Sequence, residues 1–291
     1  MLDLNLVGKP GAPTRFEYGW KDVVLYALGI GAKADELEYL YEGKGPKTYP
    51  SFAVVPTFAP IFDLLAKSGG NLAMVVHGAQ KVALHRPIPA EGALRTTATV
   101  RAIYDLKRFA QVIIDTASVD DKSGEAIFDT TWSIIFRGEG GFKGPPPPRP
   151  APEDVVSVPA DREADFTMEE ATSKEQALLY RLSGDLNPLH ADPVFAAGVG
   201  FAQGPILHGL CSYGYMVRAV VKGACGGDAT KLRAFEAQFR KPVWPGDTLV
   251  TKGWNVGAGR DGEGDRVALV VHAQGREDAV ISGASARIAI G

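Results

Sequence analysis

Residues 138 to 152 read Gly-Glu-Gly-Gly-Phe-Lys-Gly, then four consecutive prolines, then Arg-Pro-Ala-Pro. No other feature narrows the possible folds as much. Proline fixes φ and carries no amide hydrogen, so this stretch can neither continue a helix nor occupy a central strand, and it reads as a stiff, extended linker. It falls near the middle of a 291-residue chain, a length that at roughly 150 residues per domain accommodates about two domains. The expected division is residues 1–140, a connector at 141–153, and residues 154–291.

The two halves carry similar punctuation. Arg86-Pro87-Ile88-Pro89-Ala90-Glu91-Gly92-Ala93-Leu94 in the first resembles Lys241-Pro242-Val243-Trp244-Pro245-Gly246-Asp247-Thr248-Leu249 in the second. Each is followed by strand-like runs: Leu94 to Tyr104, Ala110 to Val119 and Ala126 to Phe136, then Leu249 to Val256, Val267 to Gln274 and Ala279 to Ile290. Gly- and Asp-rich turns separate them, at Asp120 to Gly124 and Gly259 to Gly264, as antiparallel meanders require. Two look-alike Pro-Gly turns also arise by chance, but the repeated order of elements points to duplication of one α+β unit. Between the turns, Ile206 to Lys222 is apolar on nearly every face and ends at Gly223. Such a helix must be buried, and Gly209, Ser212 and Gly214 allow strands to pass close to its backbone. The first half offers a shorter counterpart, Pro60 to Lys67, ending at Ser68-Gly69-Gly70.

Composition excludes several functions. With 45% hydrophobic and 22% charged residues the chain can build a core, and disordered, collagen-like and coiled-coil classes fall away. The net charge of −3 supplies no overall positive field for nucleic acid or anionic lipid. Cys211 and Cys225 are too few for a disulfide framework and have no zinc-ligand spacing, so both are expected to be reduced and buried. The longest apolar run is interrupted by His208, Gly209, Ser212, Gly214 and Arg218, and no membrane span is expected. No leader, organelle signal or peroxisomal tripeptide is read at either end, so a cytoplasmic setting is expected.

The densest polar cluster is Ser183-Gly184-Asp185-Leu186-Asn187-Pro188-Leu189-His190-Ala191-Asp192-Pro193. Thr172 and Glu175 have the spacing of a capping box for a helix carrying Leu178, Leu179 and Tyr180, and Gly184 is placed to end it. Asp185 then falls on the turn beyond. Asp192 followed by Pro193 is a second helix start, with Asp as N-cap. Asn187-Pro188 turns the chain between the two, so Asp185 and His190 are able to converge. A carboxyl and an imidazole held together suit a reaction that takes one proton from water and delivers another to carbon. An Asx-turn and N-cap beside a satisfied histidine explain the same spacing structurally. Downstream, Gln203-Gly204-Pro205-Ile206-Leu207-His208-Gly209 leads into the apolar helix, whose first amides lack intrahelical partners. Those donors suit a thioester oxygen gaining enolate charge, and Gly209 leaves the approach open. A Gly-Pro helix start without chemistry is the equal alternative, and His208 reads as a core histidine.

The runs Tyr180 to Pro193 and Pro205 to Cys211 together resemble the hydratase 2 motif. Tyr26 to Gly31, Tyr41-Glu42-Gly43, Pro56-Thr57-Phe58, His77-Gly78 and Phe239 to Val243 extend the resemblance over nearly the whole chain. The family is that of the R-specific 2-enoyl-CoA hydratases, related to MaoC-like dehydratases and to the hydratase part of peroxisomal multifunctional enzyme type 2. The resemblance implies an α+β double hot dog fold: two helices, each wrapped by an antiparallel sheet. The C-terminal unit would carry the chemistry, and the N-terminal unit, which has no Asp-x-Asn-Pro-x-His, would accommodate acyl chain and CoA. It implies hydration of trans-2-enoyl-CoA by Asp185 and His190, supported by Asn187, with Gly209 as oxyanion donor. His77, Gly78, Lys107 and Phe239 would contact the acyl-CoA, and Glu42 matches an acidic residue of supporting role. No metal and no cofactor are expected, CoA being part of the substrate; a homodimer is expected, and medium to long or branched chains. A thioesterase and a silent acyl-CoA binding protein are the alternatives.

Overall fold

The computed structural model describes residues 2–259 and 264–289. The first half opens with strand β1 (Thr14–Tyr18) and helix α1 (Trp20–Gly29), followed by the one-turn helix α2 (Leu37–Leu40) and helix α3 (Phe58–Lys67). Four long strands complete it: β2 (Val75–Leu84), β3 (Gly92–Asp105), β4 (Phe109–Asp120) and β5 (Ala126–Arg137). The second half runs through β6 (Phe166–Ala171), α4 (Gln176–Tyr180), α5 (Pro193–Gly198), α6 (Gly209–Gly223), β7 (Leu232–Phe239), β8 (Thr248–Ala258), β9 (Asp265–Ala273) and β10 (Ala279–Ile288).

All ten strands form one antiparallel sheet in the order β1-β3-β4-β5-β2-β7-β10-β9-β8-β6. Counted inward from its two edges, β1, β3, β4, β5, β2 matches β6, β8, β9, β10, β7, so each half repeats one topology. The halves meet where β2 pairs with β7, from Ala79 opposite Gln238 to Ala83 opposite Ala234. This is the double hot dog architecture: the second half wraps its sheet around the buried helix α6, and in the first half α3 buries the face carrying Phe58, Ile61, Leu64 and Leu65 and leaves Phe62 exposed. Residues 138–151 contain no helix or strand. They are nevertheless fastened to the first half: Gly141 donates its amide to Asp105 Oδ1 at 2.9 Å, and the Pro145 carbonyl accepts from the Asp105 amide at 2.9 Å.

The six strands expected from the sequence are present, with β1, β2, β6 and β7 in addition. Residues 260–263 of the expected turn, and 290–291, lie outside the described residues. Helix α6 begins at Gly209 rather than Ile206, because Ile206 and Leu207 stay extended and the Leu207 amide donates to Val243 O at 2.7 Å. Its interior glycine is approached by a side chain rather than a strand, since a Cβ on Gly214 would lie 2.2 Å from Ile30 Cγ2. In the first half the helix begins at Phe58, two residues early, and the buried segment Pro50–Thr57 before it is a 3-10 helix. The capping box at Thr172 does not form. Its hydroxyl instead donates to Asp247 O at 2.9 Å and accepts from the Gly246 amide at 2.9 Å, binding the start of α4 to the loop before β8.

Both cysteines are buried thiols, as expected. Among the described residues, no helix is long and apolar enough to cross a membrane.

Arg218, the largest fully buried side chain, sits on α6 against the first half. Its guanidinium reaches Glu36 Oε1 at 2.5 Å, Glu170 Oε1 at 2.9 Å and Ile30 O at 3.1 Å. Tyr49 also donates to Glu36, and Lys222 lies 3.1 Å from it. Burial alone would raise the Glu36 carboxyl, but these donors outweigh it and hold the group down at about 2.

Candidate active site

Helix α4 passes into a 3-10 turn, Arg181–Ser183, which Gly184 ends with φ +122°, a conformation that L side chains rarely adopt. The chain therefore leaves α4 turned toward the start of α6 and presents Asp185 there. Asp185 Oδ1 accepts the Asn187 amide at 3.2 Å, an Asx-turn. Asn187 Oδ1 in turn caps the next 3-10 turn, Pro188–His190, by accepting the Leu189 amide at 3.0 Å. Asn187 thus supports the loop rather than facing its partners directly. Asp192 caps α5 as expected, accepting from the amides of Val194 and Phe195.

His190 is 8% exposed, and its Nδ1 lies 2.8 Å from Ile206 O. A carbonyl only accepts, so Nδ1 carries the proton and Nε2 presents a lone pair. Burial lowers the imidazole below its usual range, opposed by the charge of Asp185, so His190 is held as a neutral base. One nitrogen or oxygen from each of Asp185, His190 and His208 lies within 4.8 Å of the others. From its sequence context His208 reads as a core histidine. It is buried, as expected, but its ring stacks on His190 with centroids 3.7 Å apart, which places it at the centre of the cluster.

Gly209 follows His208 directly and opens α6. Its amide has no intrahelical partner and makes no hydrogen bond among the described residues. A Cβ on Gly209 would lie 3.2 Å from Phe239 Cδ1, so the phenyl ring packs closely on the side of Gly209 where a side chain would stand. Phe239 ends β7, and its ring is 5.0 Å from that of His77, which stacks on Trp132 at 4.7 Å. Gly78 lies in a β-bulge: the register of β2 on β5 shifts between His77 and Ala79, and a Cβ there would sit 3.0 Å from Ile135 Cγ1. The bulge re-aims His77 toward the seam between the halves. Burial holds the His77 imidazole down at about 4.

Asp185, His190, His208, Gly209, Phe239, His77 and Gly78 therefore form one continuous region. Lys107 does not join it through any hydrogen bond or ion pair among the described residues. It is exposed at the turn between β3 and β4 with φ +67°, its amide donating to Asp105 Oδ1. Glu42 is likewise exposed and without a hydrogen bond among the described residues, whereas Glu36, six residues earlier, is the buried carboxylate of this segment. On the other side of His190 a cleft of about 720 Å³ opens, walled by Ala191, Leu178, Pro205, Trp244 and Arg276. His190 lines it, whereas Asp185, Gly209 and Phe239 do not.

Comparison with known proteins agrees in both halves. Residues 16–138 match the family described as the MFE-2 hydratase 2 N-terminal domain, and residues 155–275 match the MaoC-like domain. The chain is 39% identical over 265 residues to 3-hydroxyacyl-thioester dehydratase Y of Mycobacterium tuberculosis, covering 89% of each sequence. It is 34% identical to the peroxisomal enoyl-CoA hydratase 2 of Arabidopsis thaliana, covering 93% of this chain and 90% of that one. Among solved structures, a MaoC-like dehydratase from Phytophthora capsici superposes with a TM-score of 0.84 at 30% identity, covering 98% of both chains.

Proposed function

The chain belongs to the MaoC-like hydratase 2 family, and from that membership we infer that it is a hydro-lyase, adding water reversibly to a trans-2-enoyl-CoA to give the (R)-3-hydroxyacyl-CoA. The observation that carries the reading at this site is the meeting of Asp185, His190 and His208, one nitrogen or oxygen from each within 4.8 Å of the others, with Nδ1 of His190 at 2.8 Å from Ile206 O.

In the hydration direction, the Gly209 amide receives the thioester oxygen as charge moves onto it. Nε2 of His190 takes a proton from water, whose oxygen bonds to C3, and the imidazolium passes a proton to the Asp185 carboxylate. The carboxyl so formed delivers its proton to C2. One water is consumed and the pair is restored. No step changes oxidation state, so no redox cofactor is required. The three clustered side chains also have the composition of a metal site. Nδ1 of His190 and Nε2 of His208 lie at hydrogen-bond distance from main-chain carbonyls, which suits a base and a metal ligand alike, but adding water to an enoyl thioester calls only for a base, an acid and an oxyanion donor. We take the cluster as proton-transfer machinery without metal, and chelation with EDTA should leave turnover unchanged.

His77 and Phe239 support an acyl-CoA path along the β2–β7 seam, with the first half as its far wall and medium to long chains as cargo. A homodimer suits the exposed apolar side chains Leu72, Met74 and Val76. A cytoplasmic setting suits two unpaired, buried thiols.

The test is to incubate the protein with trans-2-enoyl-CoAs of several lengths, follow loss of the conjugated absorbance, and determine the product's configuration. Each proton transfer is worth ~10²-fold or more, so Asp185→Ala and His190→Ala should each lower kcat by at least that factor. Activity within a few-fold of wild type in either variant removes the mechanism. Release of free thiol without loss of the double bond marks a thioesterase instead. Strict preference for the four-carbon crotonyl thioester over decenoyl counts against the long-chain path.

A further inference from the structure

His208 takes no part in the proton transfers above, yet it is built against both residues that do. Its ring lies between two others, 3.7 Å from His190 and 4.9 Å from Tyr180 by centroid. Its Nε2 donates to the main-chain oxygen of Asp185 at 3.1 Å, leaving Nδ1 as a bare acceptor. That Nδ1 is buried and has no partner among the described residues. Burial, and then the neighbouring His190, hold the imidazole down at about 2, so the ring is neutral throughout the working range.

A buried acceptor without a partner is costly, on the order of 1–3 kcal/mol. A phenyl ring would fill this space without that cost. What phenyl lacks is a donor that reaches the Asp185 carbonyl while the ring face lies on His190. The loop that carries Asp185 needs such a hold, because it is otherwise open: Leu186 is 61% exposed, with its carbonyl reached by Arg181 at 3.1 Å.

We propose that His208 is a positioning residue, which ties the main chain of Asp185 to the face of His190 and so sets the imidazole–carboxylate separation across which the proton passes. The proposal rests on the assignment of Asp185 and His190 as the reacting pair. A displacement of about 1 Å in such a pair is enough to lower the rate on the order of 10²-fold.

Three variants separate the contributions. His208→Phe keeps a stacked ring and removes the donor; His208→Gln keeps an amide donor near the Nε2 position and removes the ring; His208→Ala removes both. With an enoyl-CoA that the wild type turns over, His208→Phe should lose on the order of 10²-fold in kcat, with KM little changed. His208→Gln should recover part of that loss. The acid limb of the pH profile should move to lower pH in His208→Phe, because the Asp185 charge that raises His190 is no longer held beside it. A kcat close to wild type with an unmoved acid limb in His208→Phe overturns the proposal. Should that variant not fold, His208→Gln against His208→Ala decides: a higher kcat for Gln supports the tie, and equal values overturn it. If Asp185→Ala and His190→Ala are inactive while the His208 variants respond as wild type, this inference alone fails. Active Asp185 and His190 variants bring down the underlying assignment as well.

Discussion

At the scale of single residues, the contact between His190 Nδ1 and Ile206 O decides which nitrogen is free to act. Because burial lowers this imidazole from its ordinary 6.5, activity that requires it neutral should persist below that pH and fall only on further acidification. A pH profile of kcat/KM whose acid limb lies above about 6.5 would contradict the assignment of His190 as base. Gly209→Ala should be costly in another way: the added methyl presses on the Phe239 ring at 3.2 Å and displaces either the ring or the amide. Losing an oxyanion donor costs ~10²–10³-fold in kcat, so a fall of at least tenfold with the protein still folded is the expected outcome in steady-state assays. Asp185, Asn187 and His190 were legible in the sequence because their geometry is local, set by an Asx-turn, a proline turn and two caps within eight residues. His208 was legible only as an interior histidine, since the carbonyl it holds lies 23 positions away. The same limit explains Glu42. An acidic residue shows its charge in the sequence, but burial depends on partners, and the Arg218 that buries Glu36 is 182 positions distant.

Among the elements, α6 was the most legible, since a segment apolar all round has to be interior. Its start was not: Ile206 and Leu207 are as apolar as the helix itself, and what keeps them extended is a hydrogen bond to Val243 in another loop. Strands β2 and β7 were also missed. The bulge at Gly78 breaks the alternation of β2, and β7 carries Arg233, Glu236 and Gln238 among its apolar positions. Pairing of β2 with β5, of β7 with β10, and of the two with each other across the seam makes them strands, a tertiary effect that overrides local preference. Gly214 supplies the test at this scale. With Ile30 Cγ2 at 2.2 Å from where a Cβ would stand, Gly214→Ala overpacks the contact between α6 and the first half. It should cost about 1–3 kcal/mol in urea unfolding despite alanine's better helix propensity. A variant more stable than wild type would show that the two halves slide apart without penalty.

For the molecule as a whole, acid lability follows from burial. An unfolded histidine takes a proton near its ordinary 6.5, whereas burial holds His77 down at about 4 and His208 at about 2 in the folded protein, with His190 lowered as well. Their contribution is therefore whole above 6.5 and is lost as pH falls through the folded values. Glu36, at about 2 against an ordinary 4.5, adds a loss of the same sign over the lower part of that range. Glu170, raised chiefly by burial, works in the opposite sense. Urea midpoints should fall steadily from about pH 7 to pH 4, and a midpoint that rises over this interval would refute the account. Arg218→Met, which strands Glu36 and Glu170 without their partner, should cost about 3–5 kcal/mol at neutral pH. The continuous sheet has a further consequence. When two identical subunits build such a structure, every mutation strikes both at once. Here the two copies are covalently one and genetically separate, so a change on one side of the β2–β7 seam leaves the other untouched. A ligand that titrates the reacting carboxyl and imidazole should therefore saturate at one equivalent per polypeptide, and the opposite side is free to diverge toward the shape of its cargo.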